Sequence, residues 1–262
     1  MVEIKTDNEL AAMREAGRVV GRALQAVREH AAVGMRLTEL DEVAATVIAE
    51  AGARPAFLHY QPHFAPTPFP AVICASVNDA IVHGIPGRYR LREGDLLSVD
   101  CGAYLDGWAG DAAVSFTLGL PGGTLGLPGG RDLALIEAAE RALAAGIAAA
   151  VPGNRVGDIG AAIAAVATEG GYGMPDDWGG HGVGRQMHED PSVPNHGRPG
   201  RGMPLRPGMV LAIEPMFVEG GDGRYRVASD GWTMRSRSGA RAAHAEHTVA
   251  VTDAGPRVLT LP

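Results

Sequence analysis

The sequence predicts an α+β fold built from two related halves. The main observation is an internal repeat, in which residues 91–100 (LREGDLLSVD) match residues 205–214 (LRPGMVLAIE) and residues 111–117 (DAAVSFT) match residues 246–252 (EHTVAVT). Helical sequence precedes each copy, and the spacing between copies is far longer than the period of a solenoid repeat. We therefore expect two half-domains, roughly residues 1–120 and 131–262, packed about a pseudo-twofold axis within a single catalytic domain.

Two helices are expected before the first copy of the repeat. Apolar residues recur at helical spacing over residues 10–27, and Asp7 or Asn8 is expected to cap this helix. A second helix is expected to start at Thr38, with Asp41 at the capping-box distance.

The rest of the chain reads as strands, loops and two further helices. Strands are expected over residues 71–76, 95–103, 109–118, 209–219, 232–234 and 246–252. Helices are expected over residues 132–151 and 156–169, the second capped by Asn154. A Pro-rich loop and a Gly/Pro connector are expected over residues 61–70 and 119–130.

Composition and charge narrow the class of protein. The chain has 262 residues, a net charge of −7, 46% hydrophobic residues and two cysteines. The negative net charge argues against a dedicated nucleic-acid binder, which would carry a basic face. No apolar run reaches the roughly 20 residues that span a bilayer. The N-terminus lacks the apolar core of a signal peptide. We expect a monomeric cytoplasmic protein that binds neither DNA nor membrane. The arginines of residues 234–241 are interpreted as a solvated loop, with contact to the ribosome as the alternative.

Each half of the repeat supplies two carboxylates. Asp100 and Asp111 lie on apolar strands joined by a short glycine-containing turn, so a hairpin would place them side by side. Glu214 and Glu246 occupy the equivalent positions in the second copy. Buried carboxylates repel one another, and four of them would require metal, in the form of two divalent ions.

Histidines extend this interpretation. His181 is flanked by glycines, and His188 follows seven residues later. Carboxylates with imidazole and no thiolate suit a catalytic site for Mn, Fe, Co, Ni or Zn. Two such ions can hold a hydroxide near neutral pH, which is a nucleophile for an amide carbonyl.

Other catalytic classes have less support. The sequence contains neither a G-x-S-x-G nucleophile elbow nor a phosphate-binding loop. Cys101, next to Asp100, leaves a cysteine-based alternative open.

The ordered motifs resemble type I methionine aminopeptidase of peptidase family M24, in its short bacterial form. The motifs are SVN at residues 76–78, HGIP at 83–86, HGVG at 181–184, IEPM at 213–216 and EHT at 246–248, together with Asp100 and Asp111. The resemblance implies the "pita-bread" fold, with a central antiparallel sheet and helices on its outer face. It also implies removal of the initiator methionine from nascent proteins whose second residue is small, with a metal-bridged hydroxide attacking the scissile carbonyl.

The resemblance implies roles for individual residues. The metal ligands would be Asp100, Asp111, His181, Glu214 and Glu246, with Asp111 and Glu246 bridging two ions and Glu214 also transferring protons. His188 would stabilise the oxyanion, and His83 would contact the scissile nitrogen or the substrate amine. The methionine pocket would be formed by Phe69, Cys74, Met187, Met216 and Trp232.

The chain departs from the family pattern at three places. His244 stands where relatives commonly carry Gln or another polar residue, two positions before the last Glu, and Met187 stands where an aromatic residue often precedes the His-Glu pair. A Pro-rich stretch ending at Phe69-Pro70 replaces the usual tyrosines of the pocket loop. These departures affect the shape of the pocket and leave the five proposed metal ligands in place.

Two alternatives remain open. An Xaa-Pro aminopeptidase or prolidase would share the fold, but such enzymes usually carry an extra N-terminal domain for which the residues before Asp100 leave too little room. A non-catalytic interaction protein of the same fold would have lost metal ligands, whereas all five positions are filled here.

Overall fold

The computed structural model describes residues 2–63, 65–119 and 130–262. Its helices are α1 (Asp7–His30), α2 (Leu37–Glu50), α3 (Gly130–Ala149) and α4 (Val156–Gly170). Its strands are β1 (Arg54–Pro55), β2 (Ile73–Val77), β3 (Ala80–Val82), β4 (Leu96–Leu105), β5 (Trp108–Thr117), β6 (Gly179–Gly182), β7 (Glu189–Pro194), β8 (Val210–Ile213), β9 (Met216–Val218), β10 (Tyr225–Val227), β11 (Met234–Ser236), β12 (Ala242–His244), β13 (Glu246–Ala250) and β14 (Arg257–Val258). Apart from its two end residues, the expected connector at 119–130 lies outside the described residues.

The N-terminal cap of α1 differs from the expected one. Thr6, one residue before Asp7, is the cap, because its hydroxyl accepts a hydrogen bond from the Glu9 N–H while the Glu9 carboxylate accepts one from the Thr6 N–H. This reciprocal pair requires a glutamate three residues after the cap, and only Thr6 has one. The assignment of Asp7 or Asn8 as the cap was wrong.

The caps of α2 and α4 also differ from expectation. Helix α2 starts after Arg36, whose N–H donates to the Glu39 carboxylate, so Thr38 lies inside the first turn. Asp41 instead accepts hydrogen bonds from the backbone N–H groups of residues 72 and 73, which ties α2 to the start of β2.

Helix α4 starts in the same manner. The Arg155 N–H donates to the Asp158 carboxylate, whereas the Asn154 side chain donates to the Ala149 carbonyl at the end of α3. In both helices an acidic residue in the first turn accepts the free N–H, in place of the predicted side-chain cap.

The large sheet has the strand order β1-β4-β5-β13-β8-β6-β7, with β2 also paired to β4 and β14 to β13. Its pairings are antiparallel. The two copies of the sequence repeat form the pairs β4–β5 and β8–β13, which meet where β5 pairs with β13. This arrangement agrees with the expected pseudo-twofold relation.

Each half of the sheet carries its own pair of helices. One apolar core joins α1 and α2 to β2, β4 and β5, and another joins α3 and α4 to β8 and β13. Alternate residues of these strands face the helices, for example Val99 and Cys101 on β4 and Ala112 on β5. Because side chains alternate along a strand, Asp100 and Asp111 face the opposite side of the sheet.

The arginine segment 234–241 differs from a fully solvated loop. Its first three residues form β11, Arg235 pairs with Asp79 at 2.5 Å, and Arg241 pairs with Asp132. Within the described part of the chain, none of the helices is both long and apolar enough to cross a membrane.

Candidate metal centre

Four carboxylates converge on one face of the sheet. The expected hairpin is present: Asp111 of β5 lies opposite Gly102, and Asp100 of β4 lies opposite Ala113. On the other side of β5, Glu246 of β13 also lies opposite Ala113, so Ala113 separates the two acids. Glu214 follows directly after β8, the neighbour of β13. The repeat thus brings its two acid pairs to one centre.

His181 reaches the same centre from β6. Its Nε2 lies 3.8 Å from Asp111 Oδ2 and 3.7 Å from Glu214 Oε1. Its Nδ1 lies 2.9 Å from the Gly182 carbonyl oxygen, which can only accept, so Nδ1 carries the proton. Burial lowers the pKa of His181 to about 4. The imidazole is therefore neutral near pH 7, and its Nε2 lone pair points to the carboxylates as in a metal ligand.

Without a cation, burial disfavours the ionised form of these carboxylates. It raises the pKa of Asp100 to about 7 and that of Glu214 to about 8. The pKa values of Asp111 and Glu246 are raised by burial and by the neighbouring carboxylates.

Several of these oxygens also lack hydrogen bonds. Among the described residues, Asp100 Oδ1, Asp111 Oδ1 and Glu246 Oε1 are buried and have no hydrogen-bond partner. Ligand atoms of Asp111, His181 and Glu246 lie within 4.8 Å of one another. Oxygen ligands with one imidazole fit a divalent ion of the Mn, Fe, Co, Ni or Zn type.

A cavity of about 300 Å³ opens beside these groups. Of the residues expected around the substrate, Phe69, Cys74, His83, His188 and Trp232 line it. The other lining residues, besides the metal-ligand candidates, are Phe57, Tyr60, Pro62, His63, Trp178 and Gly179.

Met187 and Met216 are placed differently from the expected pocket. The Met187 side chain is buried next to Gly102 and Phe57, where a side chain on Gly102 would collide with it. Met216 is buried in a separate apolar cluster with Ile81. Neither is among the residues that line the cavity.

His83 is held in an unusual backbone conformation. Its φ is 58°, in the left-handed region that is uncommon for residues other than glycine. Gly84 fixes it there, since its N–H donates to Ser76 Oγ and its carbonyl accepts from the Ala75 N–H of β2. The imidazole contacts Trp178 edge-on at 5.0 Å, and burial lowers its pKa to about 3. His83 is thus neutral.

His188 lies between the metal-ligand candidates and the loop before β2. Its ring lies 4.2 Å from that of His181 and stacks on Tyr60 at 5.2 Å. Burial, and secondarily His181, lowers the pKa of His188 to about 3. A neutral imidazole here retains one N–H for hydrogen bonding to substrate.

The cysteine-based alternative gains no support from the structure. Burial raises the pKa of both thiols, and Cys101 packs in the helix-side core. A neutral thiol is a poor nucleophile.

Sequence reasoning missed part of the cavity wall. The cavity is also lined by Phe57, Tyr60 and Trp178, which lie outside the sequence motifs. Trp178 stands three residues before His181. An aromatic residue next to a glycine-flanked histidine was the available signal.

The glycines around His181 are required by close packing of the strands. A Cβ on Gly180 would lie 2.0 Å from the Ala212 carbonyl oxygen, and one on Gly182 would lie 2.1 Å from the Asp190 carbonyl oxygen. Both obstacles are backbone atoms, which cannot move aside independently. These glycines let β6 fit between β7 and β8 and so position His181.

Gly180→Ala is expected to lower the free energy of unfolding by about 3 kcal/mol or more, because it forces the backbones of β6 and β8 apart. Urea unfolding of the metal-stripped protein measures this. Gly87→Ala is the matched control, since a Cβ there meets nothing closer than 3.8 Å. Equal stability of the two variants would contradict the packing argument.

Metal binding is expected to release protons near neutral pH. Asp100 and Glu214 have raised pKa values of about 7 and about 8, so the metal-free folded protein holds protons that ligand formation displaces. A raised pKa stabilises the folded state below the unfolded pKa of about 4, and this contribution is lost as pH rises through the folded pKa.

The melting temperature of the metal-free protein should therefore fall between about pH 7.5 and about pH 8.5. In this range the buried histidines are largely neutral in both states, because their unfolded pKa is about 6.5, and they add little slope. The gain in melting temperature on adding Mn²⁺ should grow over the same interval. Thermal unfolding at three pH values measures it, and a gain independent of pH would contradict the raised pKa values.

Fold and site together define a metallopeptidase, and the chain belongs to metallopeptidase family M24, whose family model matches residues 11–253. Its similar full-length relatives are methionine aminopeptidases. Methionine aminopeptidase 1 of Mycobacterium tuberculosis is 50% identical, over 100% of this chain and 96% of the relative. Methionine aminopeptidase of Clostridium acetobutylicum is 44% identical, over 100% and 99%.

Comparison with solved structures gives the same family and fold. Methionine aminopeptidase from Thermotoga maritima superposes with a TM-score of 0.91 at 38% identity, covering all of both chains. Prolidase from Pyrococcus furiosus, at 23% identity and a TM-score of 0.75, shares the fold; 99% of this chain matches 65% of that one. The family resemblance, the "pita-bread" fold and the enzyme class expected from the sequence are confirmed.

Proposed function

We propose that this protein removes the N-terminal methionine from nascent polypeptides whose second residue is small. The observation that carries the proposal is the convergence of four carboxylates and the neutral His181 beside a cavity with an aromatic wall. The names of the full-length relatives support the same activity.

The cavity wall suits a methionine side chain. The Phe69 ring meets the Trp232 ring edge-on at 5.0 Å, and Cys74 lines the same space. Aromatic rings and a thiol are favourable neighbours for a thioether. The Trp232 indole N–H donates to the Thr67 carbonyl at 3.0 Å, which fixes this wall to the Pro-rich loop.

The metal-ligand residues are proposed to be Asp100, Asp111, His181, Glu214 and Glu246, holding two divalent ions. When bound, such ions supply Lewis acidity and lower the pKa of a coordinated water. The unpartnered buried oxygens of this set fit that occupancy.

The remaining steps fall to the protein's own groups. Glu214, which lines the cavity, would accept a proton from the attacking water and pass it to the leaving amine. The His188 N–H would donate to the oxyanion that forms on the scissile carbonyl. His83, which also lines the cavity, would contact the scissile nitrogen or the substrate amine.

The setting of the reaction follows from the same proposal. Both cysteines are free and buried, which fits a reducing compartment, and we place the reaction in the cytoplasm. Residues 1–262 would act as a single catalytic domain and as a monomer.

Release of methionine from the tripeptide Met-Ala-Ser tests the proposal. The metal-stripped protein should release no methionine, and activity should return on adding Mn²⁺, Co²⁺ or Fe²⁺. Met-Trp-Ser should remain uncut, because the second residue must be small. Failure on Met-Ala-Ser with cleavage of Ala-Pro would instead favour an Xaa-Pro peptidase, and no cleavage of either would favour a non-catalytic relative.

A further inference from the structure

A second imidazole faces the candidate metal centre from a direction that the five proposed ligands do not use. His244 ends β12 and lies two residues before Glu246. Its side chain is only 2% exposed. Its Nε2 lies 3.6 Å from Glu214 Oε2 and 3.9 Å from Glu246 Oε2.

Glu214 therefore lies between two imidazoles. Its Oε1 faces His181 Nε2 at 3.7 Å, while its Oε2 faces His244 Nε2. The two oxygens of one carboxylate thus serve two different histidines, and the contacts of His181 do not occupy the side where His244 stands.

The His244 Nε2 atom has no hydrogen bond. It is buried and unpartnered among the described residues. Its distances to both carboxylates exceed the roughly 3.2 Å limit of a good hydrogen bond. They are nevertheless short enough for one ion, since two ligands with bonds of about 2.1 Å can lie up to about 4.2 Å apart.

The backbone of His244 is fixed on both sides. Its N–H donates to Ser115 Oγ at 3.0 Å, and its carbonyl accepts from the same hydroxyl at 2.7 Å. Because the single Ser115 proton is used there, the 2.7 Å contact between Ser98 and Ser115 has Ser98 as donor. This buried chain of hydrogen bonds fixes the backbone from which the imidazole reaches the carboxylates.

We infer that His244 is a sixth metal ligand, binding a divalent ion through Nε2 together with one oxygen each of Glu214 and Glu246. Ligand atoms of these three residues lie within 4.8 Å of one another. The inference rests on the proposed metal centre and extends its ligand set.

The added imidazole should change which metal the centre prefers. Imidazole suits Zn, Co, Ni and Fe better than Mn, which prefers oxygen ligands. His244→Gln should therefore weaken Co²⁺ or Zn²⁺ binding by about 10-fold or more, with a smaller change for Mn²⁺. Equilibrium dialysis against each metal measures this without reference to activity.

Proton NMR of the Co²⁺-loaded full chain tests the coordination directly. Each imidazole bound to Co²⁺ through one nitrogen gives one strongly shifted, solvent-exchangeable N–H resonance from the other. The wild type is expected to show two such resonances, one each from His181 and His244. His244→Gln and His244→Asn should each lose one of them, and the exposed His196→Gln should keep both.

Other outcomes overturn the inference. A single shifted resonance in the wild type, or two that persist in folded His244→Gln, would show that His244 is not a ligand while leaving the metal centre in place. The absence of any shifted resonance would overturn the metal centre as well, so the two failures are distinguishable. The wild-type count needs no variant and is independent of whether a substitution impairs folding.

Discussion

Asp111→Asn should abolish metal-dependent release of methionine from Met-Ala-Ser, with a fall of more than about 100-fold in kcat/KM. Replacing a residue that only orients a metal ligand lowers metal affinity or activity 10- to 100-fold. Asp111 faces His181 Nε2 directly at 3.8 Å, so its replacement should have a larger effect. Asparagine keeps the size of the side chain but removes one anionic oxygen. The variant should also bind less metal at equilibrium.

Asp106→Asn is the matched control for this experiment. It makes the same chemical change in the turn of the same hairpin, where the residue is exposed. Its φ of 51° is one that asparagine tolerates well. Full activity of folded Asp111→Asn, or an equal loss in Asp106→Asn, would contradict the assignment of Asp111 to the metal centre.

His188→Ala should lower kcat by about 100- to 1,000-fold with little change in KM. Loss of one donor to an oxyanion has an effect of this size, and it is confined to the transition state. His188 is suited to the role because it is neutral near pH 7 and lies 4.2 Å, ring to ring, from His181. Steady-state kinetics on Met-Ala-Ser separates the two constants.

His188→Gln provides the conservative comparison, because its amide retains an N–H donor. It should recover part of the activity lost in His188→Ala, while the exposed His196→Ala should match the wild type. A rise in KM at unchanged kcat would instead assign His188 to substrate binding.

The convergence of the four carboxylates could be predicted from the sequence because the repeat constrains it. Two copies of a strand ending in a carboxylate, each followed by a second acidic strand, have few arrangements that bury all four acids. The structure brings Asp100, Asp111, Glu214 and Glu246 together as the repeat implied. The role of His181 came from the family resemblance, and the glycines beside it are required by strand packing.

The cavity wall was less predictable because it is assembled from loops. Tyr60 and Trp178 come from segments far apart in the chain, and no periodic pattern links them. The family resemblance placed Met187 in the pocket, but its side chain lies against Gly102 and Phe57 and is not among the residues that line the cavity.

The position of His244 illustrates the same limit. Its sequence position, two residues before Glu246, indicates a shared neighbourhood but not a shared target. Its approach to Glu214 Oε2 depends on β12 pairing with β9, where His244 lies opposite Met216. Strand pairing between short segments is set by tertiary packing and is not readable from the local sequence.

Anomalous X-ray scattering from crystals soaked in Mn²⁺, recorded at the manganese absorption edge, tests the central claim most directly. We predict two anomalous peaks among Asp100, Asp111, His181, Glu214 and Glu246, with at least one of them lost in Asp111→Asn. Peaks elsewhere on the molecule, with none among these five residues at saturating Mn²⁺, would contradict a metal-dependent peptidase site at this face of the sheet.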